Sequence, residues 1–277
     1  MERLDFIHER ELPFHVFAFH RLRRAAHGMC ASLMDEDALL DRVLRREATS
    51  AVPRFRIPVA YALSGLGRCL DLSLSAGAVP CVLRPIVRFN DWVDRIDSWF
   101  LGFGDWTGIC VPAWEDSIVR EARALLNADF RFTETENYRL YRRRMETGRP
   151  VVRRGQRLDT VARMNVYFTD FVALFHSIRT YGVLSHDATG PGPPAFRPQR
   201  DIGVAVDADG TLCKLPGGQH RFGIARALGI PFPAQLRMVH RARLAALMEK
   251  TGSSPVGAVL GEIERLNAAT PPSSPVP

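Results

Sequence analysis

A glycine turn followed by two basic residues has the clearest chemical potential in this sequence. Residues 215–229 read Leu-Pro-Gly-Gly-Gln-His-Arg-Phe-Gly-Ile-Ala-Arg-Ala-Leu-Gly, which predicts an extended segment, a turn at the two adjacent glycines and a short helix closed by the last glycine. The first amides of a helix and its dipole favour an anion. His220 and Arg221 carry the wrong charge for a helix start, and they suit it better when an anion such as phosphate lies between them and the amides. A plain strand-to-helix turn with surface basic residues is the alternative, and the residue types alone favour neither.

The segments around this turn predict a small mixed sheet with helices. Residues 202–213 read as strand, Asp-Gly turn and strand, and residues 231–239 read as a further strand. Residues 158–181 carry a broad apolar stripe at helical spacing. Residues 79–89 are apolar and β-branched, and their two prolines restrict this strand to an edge or an irregular stretch. We therefore expect an α+β fold.

The order of these elements and the motif itself resemble the ParB/sulfiredoxin superfamily. The matching features are a helix that ends in Ser-Ile-x-x-x-Gly, a hairpin and a Gly-x-His-Arg helix start, within roughly residues 167–240. The box is similar to the Gly-Gly-Cys-His-Arg box of sulfiredoxins and to the Gly-x-x-Arg box of ParB proteins. The resemblance implies that nucleotide phosphates bind to the box and to the serine of the preceding helix. The residues at these positions are Ser177, Gly217, Gly218, Gln219, His220 and Arg221.

Two departures from the superfamily narrow the function that the resemblance implies. Gln219 stands where sulfiredoxins have their reactive cysteine, so repair of oxidised cysteine is not expected. The 37 residues after His240 are too few for the helix-turn-helix that follows this domain in ParB proteins. Some relatives are small-molecule kinases. The resemblance therefore implies a nucleotide-dependent phosphotransferase or nucleotide hydrolase that uses ATP, ADP or CTP, with Mg²⁺ as a candidate cofactor and His220 as a candidate catalytic residue.

A Gly-Asp-Trp turn at residues 104–106 is the second stretch with chemical potential. Three of the four tryptophans and four aspartates fall within residues 91–106. A carboxylate on a glycine-containing loop is a candidate general base or magnesium ligand, and a loop held by a buried indole is the alternative. The chain also resembles a group of bacterial proteins in the order of three features: a Gly-Asp-Trp turn, a helical insert and a Gly-x-His-Arg box. We take Asp105 as the candidate catalytic base, and we expect Trp106 to be buried.

The basic character of the chain suits an anionic partner. The net charge is +7, and almost all of the positive charge is arginine, since Lys214 and Lys250 are the only lysines. Arginine clusters at residues 142–144 and 153–154 keep a second hypothesis open, a nucleotide-gated module that binds nucleic acid or protein without catalysis. Solvated helix faces are the simpler interpretation of both clusters.

The cysteines and the N-terminus indicate a cytoplasmic protein. The five cysteines are scattered without a Cys-x-x-Cys pair, which predicts reduced thiols and no metal site. They are Cys30, Cys69, Cys81, Cys110 and Cys213. The first residues do not resemble a signal peptide, and no apolar run approaches the roughly 20 residues of a membrane span.

The distribution of predicted elements divides the chain into three regions. Residues 1–78 form a mainly helical N-terminal region. Residues 79–240 form the ParB/sulfiredoxin-like domain, with a helical insert at about 113–165. Residues 241–277 hold C-terminal helices and a disordered Pro/Ser tail. A chain of 277 residues is long enough to bury a sizeable core.

Overall fold

The computed structural model describes residues 5–6, 37–50, 57, 59–89, 92–153, 155–184 and 202–269. The predicted C-terminal tail, Arg154, Cys30 and most of the first 36 residues lie outside this range. The strands are β1 (Asp5–Phe6), β2 (Asp71–Leu74), β3 (Cys81–Leu83), β4 (Ile86–Phe89), β5 (Trp92–Arg95), β6 (Leu101–Gly102), β7 (Cys110–Pro112), β8 (Val152–Arg153), β9 (Gln156–Arg157), β10 (Ile202–Val206), β11 (Leu212–Lys214) and β12 (Phe232–His240). The helices are α1 (Asp37–Thr49), α2 (Val59–Leu66), α3 (Ser117–Asn127), α4 (Glu136–Glu146), α5 (Val161–Tyr181), α6 (Gln219–Leu228), α7 (Arg241–Thr251) and α8 (Pro255–Ala268).

A seven-stranded mixed sheet organises the domain. Its strand order is β2-β12-β10-β11-β3-β7, and β6 also pairs with β12. The pairs β10–β12 and β11–β3 are parallel, whereas β10–β11, β12–β2 and β3–β7 are antiparallel. The prediction of an α+β fold with a mixed sheet is thus confirmed at this level.

The strand predicted over residues 79–89 is irregular, as its prolines suggest. It is divided into β3 and β4, and the carbonyl of Pro85 between them accepts a hydrogen bond from the amide of Ile96 at 3.0 Å. Strand β4 leaves the main sheet and pairs with β1 and β5. Strand β3 lies between β11 and β7, so its position is not an edge of the sheet.

Local sequence signals set most helix ends. Asp116 caps α3 by accepting hydrogen bonds from the amides of Ile118 and Val119 at 2.9 and 3.2 Å. Thr135 caps α4 by accepting a hydrogen bond from the amide of Tyr138 at 3.2 Å. Gly229 closes α6 in the left-handed conformation, at φ 70°.

The main core crosses the predicted domain boundaries. It includes Leu40 of α1, Phe222 of α6 and Leu266 of α8, all at most 5% exposed. Strand β2 comes from the predicted N-terminal region, yet it pairs with β12. The boundary predicted between residues 78 and 79 therefore falls between two strands of one sheet. Within the mainly helical region predicted for residues 1–78, Asp5–Phe6 form a strand instead, and this strand pairs with β4.

Helices α3 and α6 pack closely on each other through a glycine. A Cβ atom built at Gly223 would lie only 3.0 to 3.2 Å from atoms of Ile118. This contact fixes the position of α6, whose first turn carries the predicted site. Within the part of the chain that the model describes, no helix combines the length and the apolar character that crossing a bilayer requires.

Candidate functional site

The glycine turn has the backbone conformation that the sequence predicts. Gly217 and Gly218 both have positive φ angles, 98° and 63°, and Gly218 is the N-cap of α6. Because Gly218 has no side chain, it cannot cap the first amides of the helix. There is also little room for a side chain at position 218, since a Cβ atom built on Gly218 would lie 3.2 Å from Cγ1 of Ile202.

Lys214, the last residue of β11, stabilises this turn through hydrogen bonds. Its side chain is fully buried, and its ammonium group donates hydrogen bonds to the carbonyls of Leu215 and Gly217. The ammonium nitrogen also lies 5.6 Å from the centre of the Phe222 ring. Burial lowers the pKa of Lys214 to about 7, and the guanidinium of Arg221 contributes to the same direction.

Other charged side chains surround Lys214. The carboxylates of Asp116 and Asp97 act to raise its pKa, and the guanidinium of Arg237 acts to lower it. Asp97 forms an ion pair with Arg95, with 3.0 Å between Oδ1 and Nε. Lys214, at the glycine turn, is therefore influenced by charges of both signs.

His220 is held by a tyrosine of α5. The hydroxyl of Tyr167 lies 3.1 Å from Nε2 of His220, and the edge of the imidazole faces the ring of Phe171 at 5.0 Å. Burial raises the pKa of Tyr167, and the negative charge of nearby Glu121 raises it further.

Glu121 is the centre of a buried polar network on α3. It is fully buried, and its Oε2 accepts a hydrogen bond from the hydroxyl of Tyr141 at 2.9 Å. Nε of Arg153 lies 2.8 Å from the same hydroxyl and 3.8 Å from Oε2 of Glu121. The charge of Glu121 acts on Tyr167, the residue that contacts His220 in the first turn of α6.

Arg221 and Ser177 occupy different positions relative to the turn. Arg221 is half-buried and donates a hydrogen bond from Nη1 to the carbonyl of Leu184 at 3.1 Å, just after α5. Ser177 is exposed on α5, ten residues beyond Tyr167, which corresponds to about 15 Å along the helix axis. Gln219 begins α6 and is half-buried.

Asp105 is at the opposite end of the sheet from the glycine turn. The turn lies beside the start of β10, where the amide of Leu215 donates to the carbonyl of Gly203 at 2.9 Å. The Gly-Asp-Trp turn lies beside the end of β12, where Nε2 of His240 is 2.9 Å from the carbonyl of Gly104. Since β10 and β12 are parallel, three or more strand residues separate the two turns, about 10 Å. The model therefore does not bring the candidate base Asp105 to the predicted phosphate site.

The Gly-Asp-Trp turn has a structural explanation. The carboxylate of Asp105 accepts hydrogen bonds from the amide and the hydroxyl of Thr107, both at 2.9 Å. Trp106 is 1% exposed, and its Nε1 donates to the carbonyl of Phe103 at 3.1 Å. The indole is therefore buried, as the sequence predicted, and its ring fills the space beside Gly102.

The two arginine clusters differ in their surroundings. Arg142, Arg143 and Arg144 are exposed on α4, and Arg142 forms an ion pair with Glu146 at 3.0 Å. Arg153 belongs instead to the buried network around Tyr141. The first cluster therefore is a solvated helix face, whereas Arg153 contributes to the interior.

Three cysteines that are scattered in the sequence meet in the sheet. Cys81 lies on β3, Cys110 on β7 and Cys213 on β11, and their sulfur atoms all lie within 4.8 Å of one another. The sulfur atoms of Cys81 and Cys213 are 2.9 Å apart. The spacing of the cysteines along the chain gave no sign of this cluster, because three neighbouring strands supply one residue each.

Comparison of the chain with protein-family models, with curated proteins and with solved structures found no match. The resemblance to the ParB/sulfiredoxin superfamily therefore stays a prediction. The sequence pointed to the glycine turn but missed Lys214, Tyr167 and Glu121. A signal for Lys214 was present: it is one of only two lysines, and it follows an apolar strand directly before the turn.

Proposed function

We propose that the chain binds the phosphate groups of a nucleotide at the glycine turn and the start of α6. The observation that carries this proposal is the pair of left-handed glycines directly before a helix whose first turn has no acidic residue. Successive amides in such a conformation form a concave anion site, and the helix dipole increases the positive potential there. Phosphate is the common ligand of this arrangement.

The charges around the turn support an anionic ligand. Lys214 is fully buried below the turn, and Arg221 lies half-buried in the first turn of α6. Repulsion between these cations adds to the effect of burial on the pKa of Lys214. An anion bound between the amides and the cations would reduce this repulsion, so part of the affinity would come from relief of an unfavourable charge arrangement.

The choice of a nucleotide over free phosphate rests on the resemblance of the box to the ParB/sulfiredoxin superfamily. In that superfamily the residues that correspond to Gly218, His220 and Arg221 contact nucleotide phosphates. The candidates from the sequence are ATP, ADP and CTP, with Mg²⁺ as an accompanying ion.

Nucleotide-dependent thermal stabilisation tests this proposal. The full chain is heated with ATP, ADP, CTP or GTP, each with and without Mg²⁺, and the unfolding midpoint is recorded. A nucleotide at 100 times its Kd stabilises the folded state by about 2.7 kcal/mol, which raises the midpoint by several degrees. The variant Arg221→Gln should lose most of this stabilisation, because it removes the guanidinium while keeping a side chain of similar length.

A matched control separates binding from a general loss of charge. Arg139→Gln removes an exposed arginine of α4 that the site does not use, and it should keep the full stabilisation. Absence of stabilisation by every nucleotide would overturn the proposal. Equal stabilisation of wild type and Arg221→Gln would also overturn it and would make Arg221 a purely structural residue that anchors the segment at Leu184.

Phosphotransfer to a small-molecule acceptor, or hydrolysis of the nucleotide, is the second candidate function. The contact between Tyr167 and His220 favours it, because a histidine oriented by a buried hydroxyl is suited to proton transfer. Asp105 takes no part in this proposed reaction. Most of the catalysis would come from positioning and charge stabilisation by the turn.

Release of inorganic phosphate from bound nucleotide tests the second function. We expect slow hydrolysis by the wild type without an acceptor, and we expect His220→Gln to lower the rate at least about 100-fold, within the range of general acid–base catalysis. If His220 acts in the reaction, its replacement by Gln should reduce nucleotide stabilisation much less than it reduces the rate. Binding without any turnover in the wild type would leave the first function standing and would reject the second.

A further inference from the structure

The three-cysteine cluster on β3, β7 and β11 is independent of the glycine turn. Cys213 and Lys214 are consecutive residues of β11, so their side chains point to opposite faces of the sheet. Lys214 faces Phe222 of α6, whereas Cys213 faces Cys81 and the segment that contains Trp106. The cluster therefore belongs to the other side of the sheet.

We infer that Cys81, Cys110 and Cys213 bind one Zn²⁺ ion through their three sulfur atoms. In a tetrahedral zinc site with Zn–S bonds of about 2.3 Å, neighbouring sulfurs are about 3.8 Å apart. The three sulfurs already lie within 4.8 Å of one another, and the Cys81–Cys213 pair is at 2.9 Å. Small adjustments of the side chains would therefore suffice to form the site.

The backbone around the cluster is rigid enough to hold such a site. Cys81 and Cys213 are direct partners in the parallel pair β3–β11, and Cys110 pairs with Leu83 in the antiparallel pair β3–β7. Each ligand thus comes from a different strand of one hydrogen-bonded sheet. Sites on sheet strands keep their geometry better than sites on loops.

The environment of the cluster favours a thiophilic dication. The buried apolar residues around it exclude most of the solvent: Leu83, Ile96, Trp106, Ile109, Ala205, Leu215 and Met238. Soft thiolate ligands select Zn²⁺, Cu⁺ or iron–sulfur clusters, and the clusters commonly use four cysteines. Three thiolates leave a net charge of −1 with Zn²⁺ and −2 with Cu⁺, and the smaller excess is less costly to bury.

One member of the cluster is partly accessible to solvent. Cys110 is half-buried, which leaves water access to the fourth coordination position that tetrahedral zinc requires.

Zinc titration of the full chain tests the inference. The protein is purified with a non-thiol reductant, freed of metal and titrated with Zn²⁺ against a chromophoric chelator. We expect one tightly bound ion per chain. Titration with Co²⁺ should give the near-ultraviolet absorption of thiolate-to-metal charge transfer.

Cys110→Ser is the decisive variant, because Cys110 is less buried than the other two ligands. It should weaken Zn²⁺ binding by more than the about 10- to 100-fold that loss of an outer-shell partner costs. Cys69→Ser is the matched control, since Cys69 is exposed and lies outside the cluster, and it should bind Zn²⁺ as the wild type does. The unfolding midpoint of each metal-free variant shows whether it folds.

Peptide-resolved alkylation provides a second measurement. The cysteines at 81, 110 and 213 should react in the metal-free protein once it is unfolded, and Zn²⁺ should slow the reaction of Cys110 in the folded protein. Failure of the reduced wild type to hold one Zn²⁺, or equal affinity in Cys110→Ser, would overturn the inference. A Cys81–Cys213 disulfide that persists in the reductant-treated protein and excludes the metal would overturn it as well.

Discussion

Two neighbouring residues of β11 take part in two very different environments. Lys214 faces a polar region, where a glycine turn, a histidine and a buried carboxylate network meet. Cys213 faces an apolar region, where three sulfurs are surrounded by aliphatic and aromatic side chains. The difference arises because consecutive strand residues alternate between the two faces of a sheet. One strand can therefore supply residues to two sites that have separate chemistry.

On the polar side, replacement of the buried Lys214 should have the largest effect on the free energy of unfolding. Its pKa is about 7 in the folded protein, below the ordinary value of 10.5. Between these values the unfolded chain holds a proton that the folded chain releases, so stability rises with pH by up to about 1.4 kcal/mol per unit. Lys214→Met should remove this rise.

Urea unfolding of wild type and Lys214→Met at about pH 7.5 and 9.5 measures this effect. The difference between their free energies of unfolding should change by about 2 to 3 kcal/mol over this interval. If the free energies of unfolding of the two proteins changed equally with pH, Lys214 would not be desolvated. The two faces of β11 would then not differ in the way described above.

The hydroxyl of Tyr167 is the next most important group on the polar side. Tyr167→Phe removes the buried hydroxyl that lies 3.1 Å from Nε2 of His220, so it should destabilise the protein by about 1 to 3 kcal/mol. Tyr138→Phe is the control, because Tyr138 is also buried but its hydroxyl donates to the exposed Asn165 at 2.8 Å. Chemical denaturation of both variants checks this, and equal losses would contradict a special role for the Tyr167 hydroxyl.

The backbone of the glycine turn should give a smaller effect. Gly218→Ala should cost about 1 to 2 kcal/mol for the left-handed conformation, with an added cost from the close approach to Ile202. Gly252→Ala is the control, because Gly252 has a similar φ of 66° but open space around it. The difference in free energy of unfolding between the two variants isolates the contact with Ile202. A smaller loss for Gly218→Ala than for Gly252→Ala would contradict it.

The coupling between the two faces should be the smallest effect. Metal-free and zinc-loaded protein, compared after removal of excess metal, should bind nucleotide with affinities within about twofold of each other. The reason is that groups without shared partners couple by only about 0.3 to 0.5 kcal/mol. A larger change, measured by calorimetric titration, would show that β11 transmits the state of one face to the other.

Local signals in the sequence were enough for the elements that carry the polar site. The hairpin over residues 202–213, the helix between Gly218 and Gly229 and the cap at Asp116 all depend on residues close together in the chain. The glycine turn could be predicted for the same reason, since positive φ angles require glycine wherever the chain then goes. The predicted separate N-terminal region was less successful, because β2 joins the main sheet through a long-range pairing.

By itself, the sequence determined the α+β composition, the glycine turn and the basic groups at the start of α6. Tertiary structure alone decided that Asp105 lies at the far end of the sheet, that Lys214 is buried and that three cysteines meet. Cys81 and Cys213 are 132 residues apart, and they touch only because β11 pairs with β3. Strand order depends on which apolar faces pack together across the whole domain. It therefore cannot be predicted from the spacing of residues within a short segment.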